Sequence, residues 1–229
     1  MFSKKEIKMR WHSYVQEQIE QGKPKPEASL NLALLIASSA LMSQKLWNGD
    51  DYMDHPMFVA MHNTDSMKKK IVGILHDVVE DSDWTIDDLR ELGFDEEIVL
   101  AVGAVTKRPG EKYVEFIERC GASGAVAIDV KLKDLHHNSI NIRTPNIDKT
   151  EKQRLKSGLY NISYYYLLDI KKGKVEAGTK LSDYIQSHPI YGQQSKILIE
   201  QIYSSFSAQS YQEQAETHHL KRSPVPNCS

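Results

Sequence analysis

Apolar residues recur at helical spacing along almost the whole chain. Between Lys4 and Gln21 they fall at Ile7, Trp11, Val15 and Ile19, one face of an amphipathic helix. The Gly22-to-Pro26 stretch breaks that helix, and Pro26-Glu27 is expected to open a second one that runs to about Trp47 and stops at Asn48-Gly49. A third helix is predicted to begin near His55-Pro56. A fourth, capped by Asp65 or Ser66, carries Ile71, Ile74, Leu75 and Val78 towards a core. Thr85 to Leu89 reads as a short capped helix with an acidic first turn, and Asp95 opens another with Ile98, Val99, Val102 and Val105. After a turn at Arg108-Pro109-Gly110 come a short helix over Tyr113 to Cys120, a long apolar one over Ala122 to Ile142, and one over Thr150 to Lys171. Two further helical stretches are expected, at Ala177 to Ser187 and Gln193 to Ala215, and the tail from His218 lacks periodicity. No run alternates convincingly as a strand, so the expected fold is all-α. It is read as one multi-helix bundle over residues 1–172, a C-terminal helical extension over 173–215 and a tail over 216–229.

Composition narrows the class. A chain of 229 residues, 40% apolar and 26% charged, is long enough for a substantial core. The formal net charge of −2 argues against a nucleic-acid partner, which would call for a basic surface. Two cysteines, one of them penultimate, do not make a disulfide framework. With no apolar leader at the N-terminus and no apolar run long enough for a bilayer, the expected compartment is the cytoplasm, away from the membrane.

The chemistry concentrates in Ile74 to Ser82. His76 and Asp77 follow two core residues on a helix predicted to be buried, and burying charge without a partner is costly. A divalent cation would be that partner, since imidazole and carboxylate suit manganese, iron or zinc. Glu80 and Asp81 lie four residues beyond His76 and Asp77, which on a continuous helix stacks each carboxylate one turn above its predecessor, placed to position a water. His55, just before Pro56, and Asp134, at the end of the Ile128-Leu132-Leu135 stripe, complete a candidate ligand set of His55, His76, Asp77 and Asp134. Any of these residues alone is ordinary; the order H…HD…D, with Glu-Asp and Asn138 each one turn on, is not.

These motifs, YMDHPMFVA, ILHDVVEDSDWT, AVTK and VKLKDLHHN, resemble the HD-domain metal-dependent phosphohydrolases. Within them the chain is most similar to the hydrolase domain of RelA/SpoT-type (p)ppGpp pyrophosphohydrolases, over about Ala28 to Asp169. The resemblance implies manganese held by the four ligands, Glu80 and Asp81 handling the attacking water, and Asn138 contacting a nucleotide. It implies a hydrolase alone, because the residues after the motifs read as helices and are too few for a nucleotide-synthetase domain. The implied reaction is removal of the 3′-pyrophosphate from guanosine-3′,5′-bis(diphosphate). Two departures bear on substrate. Where the family carries an Arg-Lys pair this chain has Gln44-Lys45, and His136-His137 precede Asn138. Lys45, Lys107 and Lys112 become the candidate phosphate contacts, with Arg108 and Tyr113 beside them. Alternative readings are an HD enzyme acting on a dNTP, a nucleoside monophosphate, a cyclic nucleotide or NADPH, and a nucleotide-binding module without catalysis. The helices beyond Lys172 are left two roles, covering the core or forming a homo-oligomer.

Overall fold

The computed structural model describes residues 2–189 apart from 47, 48, 50, 64 and 143–150, and gives only the backbone at 140–142 and 151–157. The chain is all-α, and among the described residues the only β pairing is an isolated bridge between Lys45 and Asp51. In order the helices are α1 (Lys4–Glu20), α2 (Leu30–Leu41), α3 (Asp54–Met61), α4 (Met67–Leu75), α5 (Val78–Asp81), α6 (Ile86–Glu91), α7 (Glu96–Val105), α8 (Tyr113–Gly121), α9 (Ala125–Ile142), α10 (Glu151–Lys171) and α11 (Leu181–Ser187). The expected helix over Gln193 to Ala215, the tail and Trp47 lie outside the described residues.

Several boundaries differ from those the sequence pattern predicts. The second helix starts at Leu30, not at Pro26-Glu27, and ends at Leu41. Ser29 is its extended N-cap residue, so residues 24–29 run non-helical and carry Ala28 into the core. The long ninth helix starts three residues late, at Ala125, because Gly124 adopts a left-handed φ of 93°. The eleventh is also shorter than expected. The larger change falls at the candidate site. Helical structure is interrupted at His76-Asp77, where Asp77 sits at φ −96°, ψ −10°, and Val78 belongs to a separate four-residue helix. Two polar side chains drawn into one buried point from consecutive positions do not both fit a regular turn, and the backbone gives way there.

The core has two parts that share α9. Leu32, Ile36, Leu41, Val59, Val72, Leu75, Leu89, Val99 and Val102, from α2 to α7, pack with Ala127 and Val130 of α9. Ile128, Leu132 and Leu135 of the same helix pack with Phe116, Ile117, Leu159, Tyr166, Leu167, Leu181 and Ile185 from α8, α10 and α11. An apolar surface on both sides of α9 accounts for its run of buried residues, as expected of a helix enclosed by others. Asp129 fastens it in place. This buried carboxylate takes an ion pair from Lys69 of α4 at 2.6 Å and another from Lys171 of α10. Among the described residues no helix is long and apolar enough to cross a membrane.

Candidate metal centre

Three helices bring the candidate ligands together. α3 supplies His55 in its first turn, the end of α4 supplies His76-Asp77, and α9 supplies Asp134 from its buried middle. The α3–α4 crossing is close because position 73 is glycine. A Cβ there would stand 2.9 Å from the Cα and the N of Ala60. One ligand atom each from His55, His76 and Asp77 lie within 4.8 Å of one another. His55 Nε2 is 3.1 Å from His76 Nε2, 3.4 Å from Asp77 Oδ2 and 3.1 Å from Asp134 Oδ1. His76 Nε2 is 3.2 Å from Asp77 Oδ1 and 3.9 Å from Asp134 Oδ1. All four residues singled out by sequence therefore converge on one point.

The donor set fits a cation. His76 Nδ1 lies 2.8 Å from the carbonyl oxygen of Gly73, an acceptor only, so that nitrogen carries a proton. On a neutral ring Nε2 is then a bare lone pair, and it faces a second imidazole nitrogen and two carboxylates. Such a cluster of acceptors is repulsive unless positive charge sits among them. The ring senses this. Burial works against the charged form of His76, but Asp77 and then Asp134 outweigh it and raise its pKa to about 9. Burial would push Asp77 up, but His76 and His55 hold it down at about 2. Asp134 is likewise held well below the carboxylate range against its burial, chiefly by Lys131.

A ring of supporting contacts surrounds these four side chains. The Tyr52 hydroxyl lies 2.9 Å from Asp77 Oδ2 and 2.8 Å from Asp81 Oδ2. Lys131 donates to Asp134 Oδ2 at 2.6 Å, with its ammonium 4.5 Å from the centre of the Phe116 ring. Asn138 Nδ2 donates to Asp134 Oδ1 at 2.6 Å, so the residue expected at a nucleotide also steadies a candidate ligand. His137 Nδ1 approaches His55 Nδ1 at 2.7 Å, behind the face that His55 turns to the centre. Tyr52, Lys131 and His137 were not among the residues the sequence singled out for roles here. The signal for Lys131 was its place three residues before Asp134 in the VKLKDL stretch, on the same side of the helix.

Glu80 and Asp81 part company. Asp81 keeps the four-residue relation to Asp77, its backbone N–H donating to the Asp77 carbonyl at 2.9 Å, and both carboxylates meet Tyr52. Glu80 does not continue a helix from His76. Because the helix breaks there, its Oε2 instead accepts the backbone N–H of Lys107 at 2.9 Å. Glu80 keeps access to solvent but has protein packed around its inner side. That crowding raises its pKa to about 7, with the Lys107 N–H pulling the other way. Lys45 is exposed and paired with Asp51. Lys107 is half-buried, which lowers its pKa. Lys112 caps α8 with an exposed side chain, and its N–H donates to Glu115 at 3.1 Å. Gln44, where the resemblance would place an arginine, donates to the Asp81 carbonyl at 3.1 Å, while its own Oε1 is buried and has no partner among the described residues.

An all-helical bundle with two imidazoles and two carboxylates at its centre is the class that fold and site define. No protein-family model matches the chain. The chain is similar to RelA/SpoT-type proteins. It is 32% identical over 155 residues to a probable guanosine-3′,5′-bis(diphosphate) 3′-pyrophosphohydrolase of Synechocystis, covering 61% of this chain and 20% of that protein. It is 30% identical over 149 residues to a GTP pyrophosphokinase of Streptomyces coelicolor, covering 58% of this chain and 17% of that protein. The chain thus spans a fifth or less of the length of these curated relatives. Its fold matches the solved structure of a metazoan ortholog of SpoT, a protein described as hydrolysing ppGpp, with a TM-score of 0.54 and 21% identity. The match covers 73% of this chain and 99% of that one.

Proposed function

We propose that this chain is a metal-dependent phosphohydrolase that removes the 3′-pyrophosphate of guanosine-3′,5′-bis(diphosphate), with manganese as its ion. The observation that carries the reading is the convergence of His55, His76, Asp77 and Asp134 on one buried point, with two imidazole nitrogens 3.1 Å apart. The similarity to the probable 3′-pyrophosphohydrolase of Synechocystis and to the ppGpp-hydrolysing SpoT ortholog supports the substrate class.

A divalent ion held by these four residues would supply Lewis acidity toward a phosphoryl oxygen and toward water. The chain's own groups do the rest. Asp81, steadied by Tyr52, and Glu80, steadied by the Lys107 N–H, orient a water and accept its proton as the oxygen adds to phosphorus. The bond between the ribose 3′-oxygen and phosphorus breaks, the proton passes on to that oxygen, and the nucleotide leaves as GDP with pyrophosphate. Lys107 and Lys112 bind phosphates, as does Lys45 once it lets go of Asp51, and Asn138 reaches the sugar or base.

The deciding experiment is to incubate the protein with ppGpp and Mn²⁺ and resolve the products. Pyrophosphate and GDP in equal amounts, lost on adding EDTA and in Asp77→Ala, are expected. If Asp77→Ala kept full turnover, the assignment of the centre would fail. The second reading is an HD nucleotidase acting on a dNTP, a nucleoside monophosphate, a cyclic nucleotide or NADPH. It is favoured by one observation: the cations near the expected phosphate path are reduced by Gln44 and by the pairing of Lys45 with Asp51. Activity on one of these and none on ppGpp would select it.

A further inference from the structure

α7 ends at Val105, and its last carbonyls need partners from outside the helix. Arg119 of α8 provides them. Its Nη1 donates to Gly103 O at 3.0 Å and to Ala104 O at 2.9 Å, and its Nη2 to Thr106 O at 2.9 Å. Nε and Nη2 also grip both oxygens of Glu111, at 2.7 and 2.8 Å. Every N–H of the guanidinium is thereby committed. Glu111 Oε2 in turn accepts the Arg108 N–H at 2.9 Å, which closes the Arg108-Pro109-Gly110 turn over the same centre. The turn's geometry needs Gly110, at φ 74°. Residues 106–111 are therefore tied at both ends to one arginine.

Lys107 sits inside that tied loop, and its backbone N–H holds Glu80 Oε2. Among the described residues no other hydrogen bond holds the Glu80 side chain. Its own helix is a single turn after the break at His76-Asp77, and its side chain faces solvent. Arg119 is mostly buried, with 18% of its side chain exposed, and all its donors are used, so it is not available to a phosphate. We propose that Arg119 is a positioning residue for Glu80: by fixing the Thr106-to-Glu111 loop it sets the Lys107 N–H that holds one carboxylate oxygen and leaves the other for water. This rests on the reading of Glu80 given above and gives the Arg-Pro-Gly-Glu stretch a second task besides phosphate contact.

The test uses the full chain with Mn²⁺ and ppGpp. Arg119→Lys keeps a positive charge but has three donors in place of five, too few for the fan. Turnover is expected to fall about 10–100-fold with KM within about 2-fold, as for small misplacements of a reacting group. In the Glu80→Gln background the same change should add nothing. Hydrogen exchange supplies a readout that activity does not touch: the Lys107 amide should exchange at least about 10-fold faster in Arg119→Lys while amides of α9 keep their protection. Glu111→Gln, which loosens the loop and leaves the arginine in place, should act in the same direction on both. Equal losses with and without Glu80, or a Lys107 amide still protected, would overturn the proposal and leave Arg119 as a cap on α7. Full turnover in Glu80→Gln would overturn the catalytic reading of Glu80 instead, and the Lys107 amide would still decide the positioning claim.

Discussion

Gly73 lies against the backbone of Ala60 so closely that a Cβ on it would stand 2.9 Å from the Ala60 Cα. This contact sets the separation of α3 and α4, and with it the distance between His55 and His76, one on each helix or at its end. Gly73 also gives its carbonyl to His76 Nδ1. Gly73→Ala must push the two helices apart, since the obstructing atoms are backbone. We expect a loss of about 1–3 kcal/mol in stability, the usual cost of overpacking, and a drop in Mn²⁺ affinity larger than any surface substitution gives. Urea unfolding with and without Mn²⁺ measures both. An unchanged midpoint together with unchanged affinity would show that the crossing has slack.

Tyr52 offers one hydroxyl proton to two carboxylates, Asp77 and Asp81. One side is therefore always favoured, and the phenol couples a candidate ligand to a candidate base. Burial and the two negative neighbours push the phenol pKa well above its usual value, so it remains a neutral donor. Tyr52→Phe removes the donor and keeps the ring. Turnover is expected to fall about 10–100-fold, the range for outer-shell partners of metal sites, with the fold intact by circular dichroism. Wild-type turnover in this variant would remove Tyr52 from the site.

How much of this was legible in the sequence depends on what each feature is made of. Helices with a clear apolar stripe or a capping residue, such as α1, α6 and α7, fall close to where their pattern puts them, because burial and caps are local to the segment. The four candidate ligands could be picked out because polar residues stand out inside apolar helices. What the pattern hid is the break at His76-Asp77. The reading of an unbroken helix stacked Glu80 above His76, whereas the centre pulls both side chains in and turns Glu80 towards Lys107. Partners such as Tyr52, His137 and Arg119 were hidden for another reason. Their roles come from residues 25 to 82 positions away, or from carbonyls on another helix, and no local spacing records that.

The N-terminal helix supplies a pH prediction with a definite sign. Asp88 accepts from Lys4 at 2.5 Å and Lys8 at 2.9 Å and closes the Thr85 capping box. Burial alone would raise its pKa, but Lys4, Lys8 and Thr85 outweigh that and hold it well below the carboxylate range. A depressed folded pKa gives stability that is present above the unfolded value, near 4, and is lost as pH falls towards the folded one. Acid unfolding should therefore begin below about pH 4 in part through this residue. Asp88→Asn should cost about 1–2 kcal/mol at neutral pH, as for loss of a helix cap, and flatten the pH dependence of the unfolding midpoint between about pH 4 and 2. A variant whose acid limb is as steep as the wild type would assign that limb to other groups.

Lys131 is buried, and its ammonium meets Asp134 at 2.6 Å. Removing the amine leaves Asp134 as a buried charge with the histidines and the neutral Asn138 amide but no fixed cation beside it. Breaking a buried pair in this way typically costs about 3–5 kcal/mol. Lys131→Met keeps the length and packing of the stem against Phe116 while deleting the charge, so the loss reports the pair and not a cavity. If a divalent ion is the other partner of Asp134, Mn²⁺ should restore part of the lost stability. The gain in thermal midpoint on adding Mn²⁺ should then be larger in Lys131→Met than in the wild type. A gain no larger than the wild type's would mean that Asp134 takes no share of the ion, and the centre would reduce to His55, His76 and Asp77.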